Sequence, residues 1–399
     1  MPAKHIGILT GGGDVPGLNA AIKSVYLAAK DRGWTRSGSE DGNVTGILRG
    51  WKGAVHMGYD PETAQPTHIL PLTDDIVRTV DRYGGTFLHT SRTRPERILL
   101  EDLPPRLQRR GDDLARVEGR DDLFDVTDEV IRNLEEFGID CLVAIGGDDT
   151  LGYAHRLNAK GFPVVGIPKT MDNDVRGTEY AIGYKTALTR ADEFINRQRT
   201  HLASHEMVGV FRIFGRNAGF TALGTAMAIS DIRCLIPEHP FELEALCALV
   251  EKDYARNRHR YALVICSEGA MWKGGKLEEI GPEDAYGHRR KSNVGEALAD
   301  TITRLTGLPT RMQDVTYDLR SGNPDAIDKI LANTFGTLAA QLIAEGKTGQ
   351  MVCVQSGVYS HTALPDPAQG ARTVDIPTHY DMKRFRPNFT GLLGKPIFF

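Results

Sequence analysis

Two hydrophobic patterns alternate along this chain: short continuous apolar runs, and longer stretches in which apolar residues recur with helical spacing. The first apolar run, Ile6–Thr10, is typical of a buried strand, and a glycine-rich turn at residues 11–17 separates it from a helical pattern over residues 18–32. The order recurs, with strands predicted at residues 43–48, 140–145, 164–167, 207–214, 261–267 and 349–356 and helices at 127–137, 186–200, 241–256 and 326–345. This alternation predicts an α/β protein whose parallel sheet is covered by helices on both faces.

Two stretches depart from the pattern. Residues 93–125 hold many arginines and acids and few apolar side chains, which predicts a solvated surface insertion with some helix; a functional lid is the alternative. Residues 378–399 are rich in Pro and Phe, and we expect them to pack as an irregular tail. A second α/β unit is predicted to begin near Tyr184.

Composition limits the possible classes of protein. A length of 399 residues favours two or three domains. The net charge of −4 argues against general nucleic-acid binding, which needs a basic excess. Five scattered cysteines without a CxxC pair favour buried free thiols. Because no signal-peptide pattern precedes the first strand and no apolar run approaches the roughly 20 residues that span a bilayer, we expect a cytoplasmic protein without membrane contact.

Polar residues gather after two successive apolar runs. Residues 146–150 are Gly-Gly-Asp-Asp-Thr, and residues 168–174 are Pro-Lys-Thr-Met-Asp-Asn-Asp. Since ligands bind beyond the carboxyl ends of parallel strands, these acids and the lysine suit a polyphosphate carried with a metal. The candidates are Asp148 for Mg²⁺ binding, Asp172 or Asp174 for general base catalysis, and Lys169 for stabilising the transferring phosphoryl group.

Two further segments could bind phosphate. Residues 11–17 begin with three glycines, which let the backbone approach a phosphate at a helix N-terminus, although a tight turn without a ligand explains them as well. Residues 84–95 combine a glycine pair with hydroxyls, Arg92 and Arg94, and arginine binds phosphate oxygens bidentately. The alternative is that these arginines only begin the charged insertion.

The later part of the chain holds candidates for binding a phosphorylated sugar. They are Phe214, Gly215 and Arg216 at the end of one predicted strand, Glu268 at the end of another, and Arg311, Tyr317 and Arg320 before the last long helix. Each charged residue, taken singly, also fits a surface ion pair.

Together these segments resemble the phosphofructokinase family over nearly the whole chain. The motifs are GGGDVPGLN at 11–19, GGTFLHTSR at 84–92, GGDDT at 146–150, PKTMDND at 168–174, FGRNAG at 214–219, SEG at 267–269 and the pair Tyr317 and Arg320. The resemblance implies two doubly wound, Rossmann-like α/β domains with the active site between them. Residues 1–183 plus about 319–399, with the 93–125 insertion, would bind the phosphoryl donor and Mg²⁺, and residues 184–318 would bind the sugar phosphate.

The resemblance also assigns roles in transfer of a phosphoryl group to the 1-hydroxyl of fructose 6-phosphate. It makes Asp172 the general base, with Lys169, Thr170 and Arg216 as further catalytic residues, and gives Mg²⁺ to Asp148. Donor contacts are implied for Gly12, Arg92, Asp149 and Lys169. Sugar-phosphate contacts are implied for Thr170, Met171, Asp172, Phe214, Gly215, Arg216, Glu268, Arg311, Tyr317 and Arg320.

Two residues bear on the identity of the donor. ATP-using members of the family usually have glycine where this chain has Asp149, and commonly glycine where it has Lys169. A carboxylate at that position would block and repel the α-phosphate of a nucleotide, and Lys169 can pair with it and also reach the bridging region of pyrophosphate. The resemblance therefore predicts pyrophosphate as donor. The alternatives are an ATP-dependent enzyme, a pyrophosphate enzyme preferring sedoheptulose 7-phosphate, and a non-catalytic sugar-phosphate-sensing subunit.

Assembly is a further expectation. Family members imply a homodimer or homotetramer, in which Arg311 reaches the site of a neighbouring subunit. Met207 stands where some bacterial members carry an arginine from the neighbouring subunit, and Tyr317 where many carry a histidine. These departures leave oligomer geometry, regulation and sugar choice open.

Overall fold

The elements below come from a computed structural model that describes residues 4–274, 279–280, 290–291 and 294–395. The strands are β1 (Ile6–Thr10), β2 (Val44–Ile47), β3 (Gly58–Tyr59), β4 (Pro66–Thr67), β5 (Ile69–Pro71), β6 (Ile98–Leu99), β7 (Ala115–Val117), β8 (Arg120–Asp125), β9 (Cys141–Gly146), β10 (Val164–Pro168), β11 (Val208–Ile213), β12 (Arg233–Leu235), β13 (Ala262–Ser267), β14 (Glu279–Ile280), β15 (Arg290–Lys291), β16 (Thr310–Asp314), β17 (Gln350–Gln355), β18 (Val358–Ala363), β19 (Tyr380–Asp381) and β20 (Arg386–Pro387). The α-helices are α1 (Leu18–Asp31), α2 (Gly50–His56), α3 (Asp74–Val77), α4 (Pro105–Gln108), α5 (Thr127–Glu136), α6 (Asp148–Ala159), α7 (Tyr184–Ser204), α8 (Phe220–Ile229), α9 (Leu243–Arg256), α10 (Val294–Thr306), α11 (Thr316–Arg320), α12 (Ala326–Ala344) and α13 (Ile376–His379).

The larger sheet has seven strands in the order β18-β17-β10-β9-β1-β2-β5. Its five inner strands run parallel, and the two edge strands, β18 and β5, are antiparallel to their neighbours. The inner strands are almost entirely apolar and buried, as expected of a sheet covered on both faces. Helices α1 and α12 pack on each other beside this sheet. This confirms the predicted α/β fold class.

A second sheet of four parallel strands has the order β12-β13-β11-β16. Helices α7, α8, α9 and α10 pack against its strands. The predicted strands at 207–214 and 261–267 are its central pair, whereas β12, β16 and helix α8 were absent from the sequence-based prediction. Helix α8 is buried nearly all round, so it lacks the amphipathic spacing that marks a surface helix.

The stretch 93–125 differs from the prediction of a solvated insertion. It forms a three-stranded antiparallel sheet, β6-β8-β7, with a short helix, α4. Leu107 and Phe124 are buried in a core that also contains Trp51 of α2 and Leu134 of α5. Its few apolar side chains are therefore enough to anchor it, because a small antiparallel sheet needs only one apolar face.

The predicted tail is also more ordered than expected, since it begins at the end of α13 and contains the paired strands β19 and β20. Tyr380 and Phe385 are bonded to Cys234 of β12 at the edge of the four-stranded sheet. Residues 396–399 of the predicted tail, and 275–278, 281–289 and 292–293 of the predicted sugar-phosphate domain, lie outside the described residues. The domain boundaries at 183/184 and 318/319 stay a prediction.

No described helix combines the length and the apolar character that a membrane crossing requires.

Candidate active site

The two acidic segments lie next to each other at the carboxyl edge of the seven-stranded sheet. Strands β9 and β10 pair in parallel with Gly146 opposite Pro168, and the amide of Lys169 donates to the carbonyl of Gly146 at 2.9 Å. Asp148 is the first residue of helix α6, and Asp149 is the second. Carboxylates in a first helical turn are stabilised by the positive end of the helix dipole.

Two glycines at this edge allow the side chain of Thr150 to lie directly against the backbone. A Cβ on Gly146 would lie 2.2 Å from Cβ of Thr150, and one on Gly11 would lie 2.5 Å from Oγ1 of Thr150. The buried Thr150 side chain therefore wedges between the turns that follow β1 and β9, which packs the two turns side by side.

The first glycine loop is tied to the 84–92 segment. The amide of Gly12 donates to the carbonyl of Ser91 at 2.9 Å, and Oγ1 of Thr90 donates to the carbonyl of Gly12 at 2.7 Å. The exposed side chain of Arg92 follows directly. These bonds bring the two predicted phosphate-binding segments together.

Lys169 is buried within this group. Its Nζ donates to the carbonyl of Gly13 at 2.6 Å. Burial, together with the positive charge of Arg320, lowers the pKa of Lys169 to about 8. The expected pair between Lys169 and Asp149 is wrong, because Asp149 forms an ion pair with Arg94 instead. Lys169 and Asp149 are therefore held by different partners.

The Asp149–Arg94 pair lines a cleft of about 560 Å³. Asp148 lines the same cleft, and Arg156 and Arg176 contribute further positive charge. Arg94 belongs to the stretch 93–125, so that stretch contributes directly to the edge of the site.

The segment of residues 169–183, here called the Asp172 loop, holds the proposed base. Oγ1 of Thr170 accepts a hydrogen bond from the amide of Asp172 at 3.1 Å and donates to Oδ1 of Asp174 at 3.4 Å. Burial raises the pKa of Asp172, and the nearby carboxylate of Glu268 raises it further. The pKa of the buried Asp174 is also raised, by burial and by the charge of Asp172. Like charges in a shielded site thus favour retention of a proton.

Asn173, between these acids, was not singled out from the sequence. Its backbone is left-handed, with φ of 54°, a conformation that Asn tolerates better than most residues. Its side chain donates to the carbonyl of Glu179 at 2.9 Å and accepts from the amide of Ala181 at 3.0 Å. The buried Asn173 therefore closes the Asp172 loop on itself.

The four-stranded sheet presents its own carboxyl edge to this loop. The amide of Glu268 donates to the carbonyl of Ile213, which brings the ends of β13 and β11 together. Arg212, which the sequence analysis did not single out, lies 2.5 Å from Asp314 and 3.8 Å from Glu268. An arginine inside a predicted apolar strand was the available signal.

Arg320 connects the two edges. Its guanidinium lies 4.7 Å from the ring centre of Phe214 and 3.9 Å from Asp14. A Cβ on Gly13 would lie 2.4 Å from its Nη1, so a larger residue there would require the Arg320 side chain to move. The positive charge of Arg320 also lowers the pKa of Asp172, which opposes part of the increase that burial causes.

The remaining predicted residues are divided between those at the site and those away from it. Arg216 is half-buried and its charge also acts on the pKa of Asp172, and Met171 is buried with its carbonyl bonded to Thr221. Tyr317 is 72% exposed in the same short helix as Arg320. Arg311 is exposed near the start of edge strand β16, three residues before Asp314, and is not brought to the site by this chain.

The donor set fits Mg²⁺ carried by a polyphosphate. Among the described residues, no group of three or more His, Cys, Asp or Glu side chains could hold a metal. Mg²⁺ commonly keeps several waters and binds through one or two carboxylates plus substrate phosphates. Asp148 offers one exposed carboxylate, which acts on the pKa values of Lys169, Asp172 and Asp174.

Comparison with known proteins agrees with this arrangement. A family model described as phosphofructokinase matches residues 5–343. The chain is 33% identical over 372 residues to ATP-dependent 6-phosphofructokinase 3 of Streptomyces coelicolor, covering 93% of this chain and 96% of that protein. It is 34% identical over 390 residues to the pyrophosphate--fructose 6-phosphate 1-phosphotransferase of Thermoproteus tenax, covering 98% and 99%. The crystal structure of the pyrophosphate-dependent phosphofructokinase of Marinobacter aquaeolei shares the fold, with a TM-score of 0.71 at 19% identity over 98% of this chain and 90% of that one.

Proposed function

The chain belongs to the phosphofructokinase family, and on that premise we propose that it is a pyrophosphate-dependent enzyme: it transfers a phosphoryl group reversibly to the 1-hydroxyl of fructose 6-phosphate. Its relatives at similar identity are named for both donors, so family membership supports phosphofructokinase activity and leaves the donor to be argued from the site.

Asp149 is the observation that carries the choice of donor. Its carboxylate is in the first turn of α6, on the wall of the cleft that a larger donor would enter, and Arg94 holds it there. A carboxylate about 4 Å from a phosphate repels it by on the order of 4 kcal/mol at an effective dielectric of 20, which a nearby arginine reduces. A nucleotide has to place its α-phosphate and nucleoside beyond the transferred groups, whereas pyrophosphate ends before that space.

The chemistry proposed for the site begins with Asp172. A carboxylate with a raised pKa is a stronger base, so Asp172 can accept the proton of the sugar 1-hydroxyl as its oxygen attacks phosphorus. Lys169, held at Gly13, places positive charge beside the glycine loop that would bind the donor. Asp148 would hold Mg²⁺, which neutralises phosphate charge when bound.

The sugar phosphate would bind between the two edges. Arg320 and Arg216 supply positive charge for its phosphate, and Glu268 can accept hydrogen bonds from its hydroxyls. Arg311 is proposed to act across an interface of a homodimer or homotetramer, which agrees with its exposed position on an edge strand.

Initial rates with fructose 6-phosphate, Mg²⁺ and each of pyrophosphate, ATP and ADP test the proposal. We expect turnover with pyrophosphate and at least tenfold less with either nucleotide. Turnover with ATP alone would overturn the choice of donor. A higher kcat/KM for sedoheptulose 7-phosphate would replace the sugar, and saturable sugar-phosphate binding with no turnover would indicate a sensing subunit.

A further inference from the structure

The chain segment of residues 367–375, here called the tail strap, lies beyond the residues matched by the family model and crosses directly over the Asp172 loop. Its backbone follows edge strand β18 and leads into α13, which continues to the four-stranded sheet. The strap therefore passes between the two sheets beside the proposed catalytic carboxylate.

On one side the strap is bonded to the Asp172 loop. The amide of Arg372 donates to the carbonyl of Asp174 at 2.8 Å. Nη1 of Arg372 donates to the carbonyls of Thr178 at 2.9 Å and Asn173 at 3.3 Å. The Arg372 side chain thus spans both ends of the turn that Asn173 closes, and its nearer contact, the carbonyl of Asn173, is one residue from Asp172.

A second arginine, in the Asp172 loop, donates hydrogen bonds to the strap. Arg176, within the Asp172 loop, donates to the carbonyls of Gln369, Gly370 and Ala371 in the strap. Hydrogen bonds from a charged group are roughly twice as strong as those between neutral groups. Loop and strap are therefore held together from both sides.

On its other side the strap contacts the end of the four-stranded sheet. The Arg372 guanidinium lies 4.4 Å from the ring centre of Phe220, the first residue of α8. The amide of Val374 donates to Oε1 of Glu238 at 2.9 Å, and the same carboxylate accepts from the amide of Gly219. Gly219 is the last residue of the segment 214–219, which contains the predicted sugar-phosphate contacts Phe214 and Arg216. The strap therefore links that segment to the Asp172 loop.

We propose that Arg372 is a positioning residue for phosphoryl transfer, which fixes the backbone of Asn173 and Asp174 against α8 so that the Asp172 carboxylate stays within reach of the sugar hydroxyl. This rests on the proposed function for the role of Asp172. A planar guanidinium can donate two hydrogen bonds and stack on a ring at once, whereas a lysine ammonium cannot reproduce the stacked geometry.

The test compares Arg372→Met with Arg372→Lys and with Arg384→Met, a matched control later in the chain whose side chain is 61% exposed. With whichever donor supports turnover of the wild type, we expect Arg372→Met to lower kcat by roughly 10- to 100-fold, with KM for fructose 6-phosphate changed less than about threefold. Arg372→Lys should recover part of the loss, and Arg384→Met should match the wild type.

Hydrogen–deuterium exchange provides a readout that does not depend on activity. In Arg372→Met, the amides of Tyr180 and Ala181 should exchange at least tenfold faster than in wild type, while amides of β13 keep their rates. Arg176→Met, which loosens the strap from the other side, should accelerate the same amides and serves if Arg372→Met does not fold.

The outcomes separate the two proposals. A wild type inactive with every donor removes the proposed function, but faster exchange confined to the Asp172 loop would still support the strap contact. An active wild type matched by Arg372→Met in kcat overturns the positioning role. So does a variant whose kcat loss only follows a general loss of stability, seen as faster exchange throughout the described elements.

Discussion

The Asp172 loop and the donor edge, formed by Gly12, Arg92, Arg94, Asp148 and Asp149, are neighbours held in different ways. The Asp172 loop is fixed by hydrogen bonds between its own backbone and the side chains of Thr170, Asn173 and the strap residue Arg372. The donor edge presents half-buried and exposed charges, among which Arg94 and Asp149 form an ion pair whose side chains are 24% and 23% exposed.

The difference separates two functions within one site. A general base has to keep its distance to a hydroxyl, which favours a loop whose polar groups are bonded internally. Donor choice depends on charge and free volume at a cleft wall, and both can change without altering the loop behind them. We therefore expect substitutions in the Asp172 loop to reduce turnover with any donor, and substitutions at the donor edge to change which donor is used.

The largest effect is expected for Asp172→Asn, which keeps the side-chain shape and removes the base. Since a positioned base contributes roughly 10²- to 10⁴-fold, kcat should fall by about 10³-fold with any donor, and calorimetry should show unchanged binding of fructose 6-phosphate. Asp122→Asn, an exposed change on β8, is the matched control and should retain wild-type kcat. A loss in Asp172→Asn confined to one donor would break the division of roles.

The sequence predicted where these two regions lie in the fold better than it predicted the contacts that hold them in place. Acids, glycines and a lysine that follow apolar runs can be assigned to strand ends because strand and turn are adjacent in the chain. The bond from Arg372 to Thr178 joins residues 194 positions apart, and that from Arg94 to Asp149 joins residues 55 apart. No local period records such contacts, so Lys169 was assigned the wrong partner.

The same limit explains the stretch 93–125. Its low apolar content favoured a solvated insertion, yet Leu103, Leu107 and Phe124 are buried against α2 and α5. These side chains are buried because they pack on a surface formed by α2, which precedes the stretch in the chain, and α5, which follows it. The composition of the stretch itself does not record that surface.

The second effect in size is a change of donor preference in Asp149→Gly. Removing the carboxylate should raise kcat/KM for ATP by on the order of 10- to 100-fold, with part of the electrostatic gain lost because Arg94 already screens it. Asp149→Asn separates charge from volume: if charge dominates, both variants should gain equally. Unchanged kcat/KM for ATP in both would remove Asp149 from donor choice and weaken the contrast between the regions.

The smallest effect concerns stability, and it tests the contrast without any substrate. Asn173→Gly keeps the left-handed backbone accessible but leaves the amide of Ala181 and the carbonyl of Glu179 without their partner, so the free energy of unfolding should fall by about 1–3 kcal/mol. Arg94→Gln breaks an ion pair that remains partly open to solvent, and should cost less than about 1 kcal/mol. Urea unfolding followed by tryptophan fluorescence measures both. A larger loss in Arg94→Gln than in Asn173→Gly would mean that the donor edge, rather than the Asp172 loop, is the more firmly held of the two, because only a well-ordered ion pair shielded from water contributes that much.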